Sequence, residues 1–140
     1  YNNLVLLSKS LNIESSVIFT GAIEHYQVID YLKISNIFIS MNSLSSMSNP
    51  VYEAMICGIP VIAINAGSTE DLINDKINGF LIESNKIDKL HLLINDVLTN
   101  NELVQKVSRN AQNFMLDEWP SWEERVKYEI ELIESLIHEK

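Results

Sequence analysis

Short apolar runs alternate with amphipathic segments over the first 82 residues, and this alternation restricts the fold more than any other feature. Each run is rich in the β-branched and aromatic side chains that favour strands. The segments between them repeat apolar residues at helical spacing. The runs are residues 17–19, 37–39, 60–64 and 80–82. Strands that alternate with helices predict a parallel sheet covered on both faces, so we expect an α/β, doubly wound, Rossmann-like fold of about four strands.

The pattern becomes purely helical after residue 82, with apolar stripes over residues 87–98, 103–115 and 122–139. Ser121 and Glu124 are spaced as a capping box at the start of the last helix. The chain opens on a helical segment, residues 4–11, where a doubly wound domain usually opens on a strand. We therefore expect residues 1–140 to form a single domain that lacks its first strands.

The composition of the chain argues against several classes of partner and site. The chain carries 10 Lys and Arg against 19 Asp and Glu, a net charge of −9, which repels a phosphate backbone and argues against a nucleic-acid partner. Cys and His do not pair at metal-ligand spacing, so no metal is expected. The single cysteine, Cys57, lies in an apolar stretch typical of a reduced cytoplasmic core, and no run approaches the ~20 apolar residues of a membrane helix.

The loops that follow the strands are the places to look for a site, because open parallel sheets bind ligands beyond their carboxyl ends. The loop after the second run is long, small and polar, and it leads directly into a helix. Asn49 can cap that helix and Pro50 suits its first position, which leaves amide groups from Val51 onward facing the crevice. The pattern is that of an anion site, and an ordinary capped helix is the alternative.

Glu53 stands one turn into the same helix, among apolar neighbours. Its carboxylate could accept hydrogen bonds from ligand hydroxyls, or it could face solvent and favour the helix N-terminus; the pattern alone slightly favours solvent. His25 follows the first polar loop and is a weaker candidate ligand, whereas His91 and His138 lie on charged helices and are interpreted as solvated.

Five segments, in this order and spacing, resemble the C-terminal, donor-binding domain of the group 1 (family 4) retaining glycosyltransferases of the GT-B fold. The match spans nearly the whole chain. The segments are residues 17–21, 36–40, 49–63, 67–73 and 78–82.

The resemblance implies that a nucleotide-diphosphate sugar lies across this domain. Glu53 would hold the ribose hydroxyls. Amides near Asn49, Pro50 and Val51 would face the diphosphate, with Pro50 contributing no N–H of its own. The backbone at Gly21, Ala22 and Ile23 would lie against the base.

Two positions depart from the family pattern. The family has two glutamates eight positions apart, and the first, which contacts the donor sugar, falls here on Ser45. The hydroxyls of Ser45, Ser46 or Ser48 would take a related role through weaker hydrogen bonds. The loop that usually reads Gly-Gly is Gly67-Ser68 here, and both residues are expected to contact the donor.

The resemblance further implies a complete enzyme that moves a hexose to an acceptor hydroxyl of a surface polysaccharide or glycolipid, with retention of configuration and without a metal or cofactor. The family's basic pair and its N-terminal acceptor domain lie upstream of the segment that matches Tyr1. We therefore expect this half to bind donor, to hold no certain catalytic residue and to transfer nothing alone. The family's C-terminal helix, matched by residues 122–139, crosses back onto the other domain, and its apolar stripe would be partly exposed here. The full-length enzyme would be cytoplasmic, with peripheral association at the inner face of the membrane.

Two alternatives stay open. A non-catalytic Rossmann-like interaction or nucleotide-binding module would explain Ser45. A flavodoxin-like phosphate-binding domain would explain the strands but not the five segments.

Overall fold

The computed structural model describes residues 1–42, 49–118 and 121–138. Short 3₁₀ turns occur at Glu14–Ser16 and Ser84–Lys89. The strands are β1 (Phe38–Ser40), β2 (Val61–Asn65) and β3 (Phe80–Glu83). The helices are α1 (Asn2–Ser10), α2 (His25–Ile34), α3 (Asn49–Ile56), α4 (Thr69–Leu72), α5 (Leu90–Thr99), α6 (Asn101–Glu118) and α7 (Trp122–His138).

The three strands form one parallel sheet in the order β1-β2-β3. Ser40 pairs with Ala63, and Asn65 pairs with Glu83, so the carboxyl ends of all three strands lie at one edge. Helices precede and follow each strand, and three helices end the chain. The predicted α/β fold with a helical C-terminal segment is confirmed.

The sheet has three paired strands in the described ranges, and the predicted first strand, residues 17–19, is not among them. Val17 has extended backbone angles (φ −120°, ψ 125°), as its side chain favours, but the segment does not join the sheet. Ile18 is 79% exposed, and the ring of Phe19 packs edge-on against Tyr1 with centroids 5.7 Å apart. A β-branched run predicts an extended conformation, but a strand also requires a partner for its backbone hydrogen bonds.

Strand β2 divides the core in two, because alternate side chains of a strand point to opposite faces. Val61 and Ala63 pack with α3 and the end of α6, while Ile62 packs with β3, α5 and the middle of α6. Helix α6 contributes buried side chains to both clusters. It gives Ala111 and Met115 to the first cluster and Val107 to the second.

Helix α3 ends in a Schellman motif at Gly58, which has a left-handed φ of +70°. The amide of Ile59 donates to the Ala54 carbonyl at 2.9 Å, and the amide of Gly58 donates to the Met55 carbonyl at 3.0 Å. Gln112 of α6 completes the end of the helix, since its Nε2 donates to the Ile56 carbonyl at 3.1 Å. This termination turns the chain directly into β2.

Asn78 stabilises the turn that precedes β3 through hydrogen bonds to the backbone. It is 3% exposed, its amide nitrogen donates to the Leu72 carbonyl at 3.0 Å, and its amide oxygen accepts from the Asn74 backbone N–H at 2.7 Å. A buried amide is stable here because both of its ends have partners.

The predicted capping box of α7 is confirmed. The Ser121 backbone N–H donates to Glu124 Oε2 at 2.8 Å, and the Glu124 N–H donates to Ser121 Oγ at 3.3 Å. The backbone hydrogen bond from Ser121, followed by the bond from its hydroxyl, lowers the pKa of the Glu124 carboxyl.

We predict that Gly58→Ala destabilises the protein more than Gly21→Ala does. Both glycines have a left-handed φ, which costs another residue about 1 kcal/mol. A Cβ at Gly58 would also lie 2.8 Å from the Gln112 amide, whereas one at Gly21 meets no atom within 4 Å. Displacing Gln112 loses its bond to Ile56, so the total cost should be about 2–3 kcal/mol, measured by urea unfolding.

The matched control is Gly58→Ala in a Gln112→Ala background, where the added cost should fall to that of Gly21→Ala. Equal costs for Gly58→Ala in the two backgrounds would contradict the role given to Gln112.

Candidate functional site

The chain leaves β1, β2 and β3 at the carboxyl edge of the sheet, as the parallel arrangement requires. β1 ends at Ser40 and the chain re-enters the described structure at α3, while β2 ends at Asn65 and leads to Gly67. Ser45, Ser46 and Ser48 fall in residues 43–48, outside the described residues, so their predicted role stays a prediction.

Helix α3 begins at this edge. Asn49 and Pro50 are exposed in its first turn, but the Val51 side chain is 1% exposed and belongs to the core. Val51 therefore offers a ligand its backbone N–H and no side-chain atom. The first-turn amides of an α-helix have no acceptor within the helix, and they carry the positive end of its dipole.

The Glu53 side chain lies at the boundary between core and solvent. It is 25% exposed, while the next two residues, Ala54 and Met55, are completely buried. The sequence left open whether this carboxylate faces solvent or a neighbour. Its Oε1 lies 3.1 Å from Nε2 of His25, a residue 28 positions earlier in the chain.

His25 is the first residue of α2, and its side chain is 73% exposed. Glu24 and Gln27 form a capping box around this helix start, with the Glu24 N–H donating to Gln27 Oε1 at 2.9 Å. The loop just before it contains Gly21, Ala22 and Ile23, the residues predicted to lie against a base. Gly21 adopts a left-handed φ of +63° and is exposed, so the backbone there is open to a ligand.

The loop after β2 is tightened by Thr69, whose buried hydroxyl donates to the Ala66 carbonyl at 2.7 Å. Gly67 lies at the exposed turn of this loop with a φ of +59°, and Ser68 is the residue before α4. Gly67 and Ser68 thus stand at the same edge as α3.

Asn65 joins the ends of β2, β3 and α4, and sequence reasoning missed it. Its Nδ2 donates to Glu70 Oε1 at 2.6 Å and to Glu83 Oε1 at 3.0 Å. Two carboxylates gathered on one amide make this end of the edge negative. A phosphate group is therefore favoured at the α3 end, where the first-turn amides and the positive end of the helix dipole lie.

In the described ranges, the His, Cys, Asp and Glu side chains do not assemble into a group of three or more that could bind a metal ion. The helices of those ranges include none with both the length and the apolar character needed to cross a bilayer.

The family model of group 1 glycosyl transferases matches residues 1–114. The chain belongs to the group 1 glycosyltransferases. A relative from Methanocaldococcus jannaschii, described as an uncharacterized glycosyltransferase, is 26% identical over 127 residues, which cover 90% of this chain and 32% of the relative. The chain spans about a third of the length of the curated relatives it matches.

Two solved structures show the same fold. One is the C-terminal domain of a group 1 glycosyl transferase from Francisella tularensis, with a TM-score of 0.74 and 21% identity over 84% of this chain and 61% of that one. The other is Anabaena HepE in complex with UDP-glucose, with a TM-score of 0.82 and 22% identity over 98% of this chain and 36% of that one. The predicted half of a GT-B fold is confirmed.

We predict that Asn65→Asp destabilises the protein more than Asn65→Ala does. Alanine removes two hydrogen bonds, whereas aspartate also places a third carboxylate beside Glu70 and Glu83. Because both glutamates are exposed, the difference should be about 1 kcal/mol in urea unfolding at low salt and should shrink in high salt.

Two results would contradict repulsion between carboxylates as the cause of the difference. One is an Asn65→Ala protein that is less stable than Asn65→Asp, and the other is a difference in stability that salt leaves unchanged.

Proposed function

We propose that this chain is the donor-binding domain of a retaining glycosyltransferase and that it binds a nucleotide-diphosphate sugar at the carboxyl edge of its sheet. The observation that carries the proposal is the partly exposed carboxylate of Glu53, one turn into α3 and beside His25. A carboxylate at this boundary can accept hydrogen bonds from two hydroxyls of a ligand while its helix remains anchored in the core.

The proposed placement of the donor follows the charges. The ribose hydroxyls lie on Glu53, and the diphosphate lies at the first turn of α3, near Asn49, Pro50 and Val51. Helix N-termini favour anions there, and Pro50 leaves its neighbours' amides to make the contacts.

The remaining contacts complete the proposed site. The base lies against the open backbone of Gly21, Ala22 and Ile23. The donor sugar lies toward the loop of Gly67 and Ser68 and toward Ser45, Ser46 and Ser48. Because Anabaena HepE, which shares this fold, was solved in complex with UDP-glucose, that nucleotide hexose is the first donor to test.

In the proposed reaction, the bond between the anomeric carbon and the diphosphate breaks, and a bond to the oxygen of an acceptor hydroxyl forms on the same face of the sugar, with the hydroxyl proton passing to the departing diphosphate. Negative charge develops on the departing diphosphate, where the amides and dipole of α3 would stabilise it without a metal ion. The resemblance supports retention and an acceptor in a surface polysaccharide or glycolipid.

An acceptor-binding N-terminal domain is part of the same proposal. The apolar stripe of α7 is open to solvent, with exposed fractions from 37% at Val126 to 65% at Ile137. We propose that this stripe packs on the N-terminal domain, as the family resemblance implies. The cytoplasmic location and the peripheral membrane association of the whole enzyme likewise remain proposals, and the single Cys57 supports the first.

Glu53→Ala should weaken nucleotide binding roughly 10–100-fold, because hydrogen bonds to a charged group contribute about 1.5–3 kcal/mol. The purified protein is titrated with UDP, GDP, ADP and UDP-glucose, and binding is monitored by calorimetry and by amide chemical shifts. The amides of Gly21, Val51 and Gly67 should shift. Glu102→Ala, at an exposed helical glutamate of α6, is the matched control and should bind like the wild type.

Two results would overturn the donor site. One is a folded wild-type protein that binds none of these nucleotides, and the other is Glu53→Ala binding that equals the wild type.

A non-catalytic module is the second candidate, and Ser45 in place of the family's glutamate favours it. Ser45→Glu should raise the affinity for UDP-glucose relative to UDP if the donor sugar lies beside this residue. The ratio of the two dissociation constants reports on the sugar and on charge together, since UDP ends in a terminal phosphate and is repelled by an added carboxylate more strongly than UDP-glucose is.

Ser43→Glu is the control for charge alone, and it should change the ratio less than Ser45→Glu does. Equal ratios in Ser43→Glu and Ser45→Glu would favour the non-catalytic module.

A further inference from the structure

The contact between His25 and Glu53 links two elements that the proposed function treats separately. His25 opens α2 four residues after Gly21, in the stretch proposed to hold the base, and Glu53 lies in α3, proposed to hold the ribose. Nε2 and Oε1 are 3.1 Å apart, within hydrogen-bond distance. One hydrogen bond therefore connects the base loop with the ribose carboxylate.

The two functional groups of the pair determine which atom donates the hydrogen bond and which accepts it. An ionised carboxylate only accepts hydrogen bonds, so Nε2 of His25 must carry a proton and donate a hydrogen bond to Oε1. This contact restricts rotation of the carboxylate about its last torsion, which is otherwise broad. Oε2 and the second lone pair of Oε1 then keep a defined direction in which to accept the two adjacent hydroxyls of a ribose.

We propose that His25 is a positioning residue that orients the Glu53 carboxylate toward the 2′- and 3′-hydroxyls, and that it thereby selects ribonucleotides over 2′-deoxyribonucleotides. This inference rests on the proposed function. His25 acts through Glu53 and not on the transferred sugar. Its removal lowers the selectivity for ribose more than it lowers the affinity for nucleotides as a class.

The alternative roles of the pair predict different results. A histidine that merely stabilises the start of α2 would change the unfolding midpoint and leave the selectivity intact. A histidine that occupies the carboxylate in competition with the ligand would, when removed, increase the affinity.

The test compares dissociation constants for UDP, GDP and ADP with those of their 2′-deoxy counterparts, using the pair that binds the wild-type protein most tightly. The selectivity is the ratio of the deoxy constant to the ribo constant. His25→Ala should lower this ratio about fivefold, the order expected for losing one hydrogen bond to a charged group at an exposed site.

His25→Gln places an amide N–H near the position of Nε2 and should restore most of the selectivity. His91→Ala is the matched control, because His91 is an exposed histidine on α5 whose Nδ1 contacts the Asp88 carbonyl. It should leave the ratio unchanged.

A second measurement needs no variant. The ¹⁵N shifts of the His25 ring, recorded above pH 8, should report a proton on Nε2 both before and after UDP is added. A proton on Nδ1 in the bound state would overturn the proposal.

Failure of this inference and failure of the proposed function give different results. If the wild-type protein prefers the ribonucleotide, Glu53→Ala removes the preference and His25→Ala keeps it, the donor site stands and the role of His25 is wrong. A rise in affinity in His25→Ala leads to the same conclusion. If the wild type binds no nucleotide, or shows no preference that depends on Glu53, the donor site fails and the role of His25 fails with it.

Discussion

The burial of β2 on both faces is the constraint on which the rest of the structure depends. The side chains from Val61 to Ile64 are all buried, so helices must cover both faces and strands must pair with both edges. Helix α6 meets this demand by packing on both clusters, and the Schellman turn at Gly58 directs α3 into the strand. Because the strands are parallel, their polar exit loops are collected at one edge, and the site is built there.

Local patterns predicted the parts of the fold that local physics determines. The apolar runs at residues 37–39, 60–64 and 80–82 became strands, and Ser121 with Glu124 formed the predicted capping box. Residues 17–19 show the limit of such reasoning. Their side chains favour an extended backbone, which Val17 adopts. A strand also needs a second segment to pair with, and no local pattern specifies that segment.

The same distinction between local and long-range determinants applies to the candidate site. The position of Glu53 one turn into α3 could be predicted, and so could the open loops at Gly21 and Gly67, because each depends on a short stretch of sequence. The partner of Glu53 could not, since His25 is 28 residues away and meets it only through the packing of α2 near α3. Asn65 was missed for the same reason, because its bond to Glu83 requires the register of β2 and β3.

A net charge of −9 does not prevent such an edge from holding a diphosphate. Charges farther than the Debye length, about 8 Å in physiological salt, are largely screened, so the groups at the edge itself dominate. There the acidic side chains are not evenly spread. Asn65 gathers Glu70 and Glu83 at the β2–β3 end, and Glu53 shares its carboxylate with His25. The first turn of α3, with its amides and positive dipole, is left as the favourable end for an anion. In the proposed site, these amides and the helix dipole are the reason for placing the diphosphate at the first turn of α3, ahead of the Glu53 carboxylate.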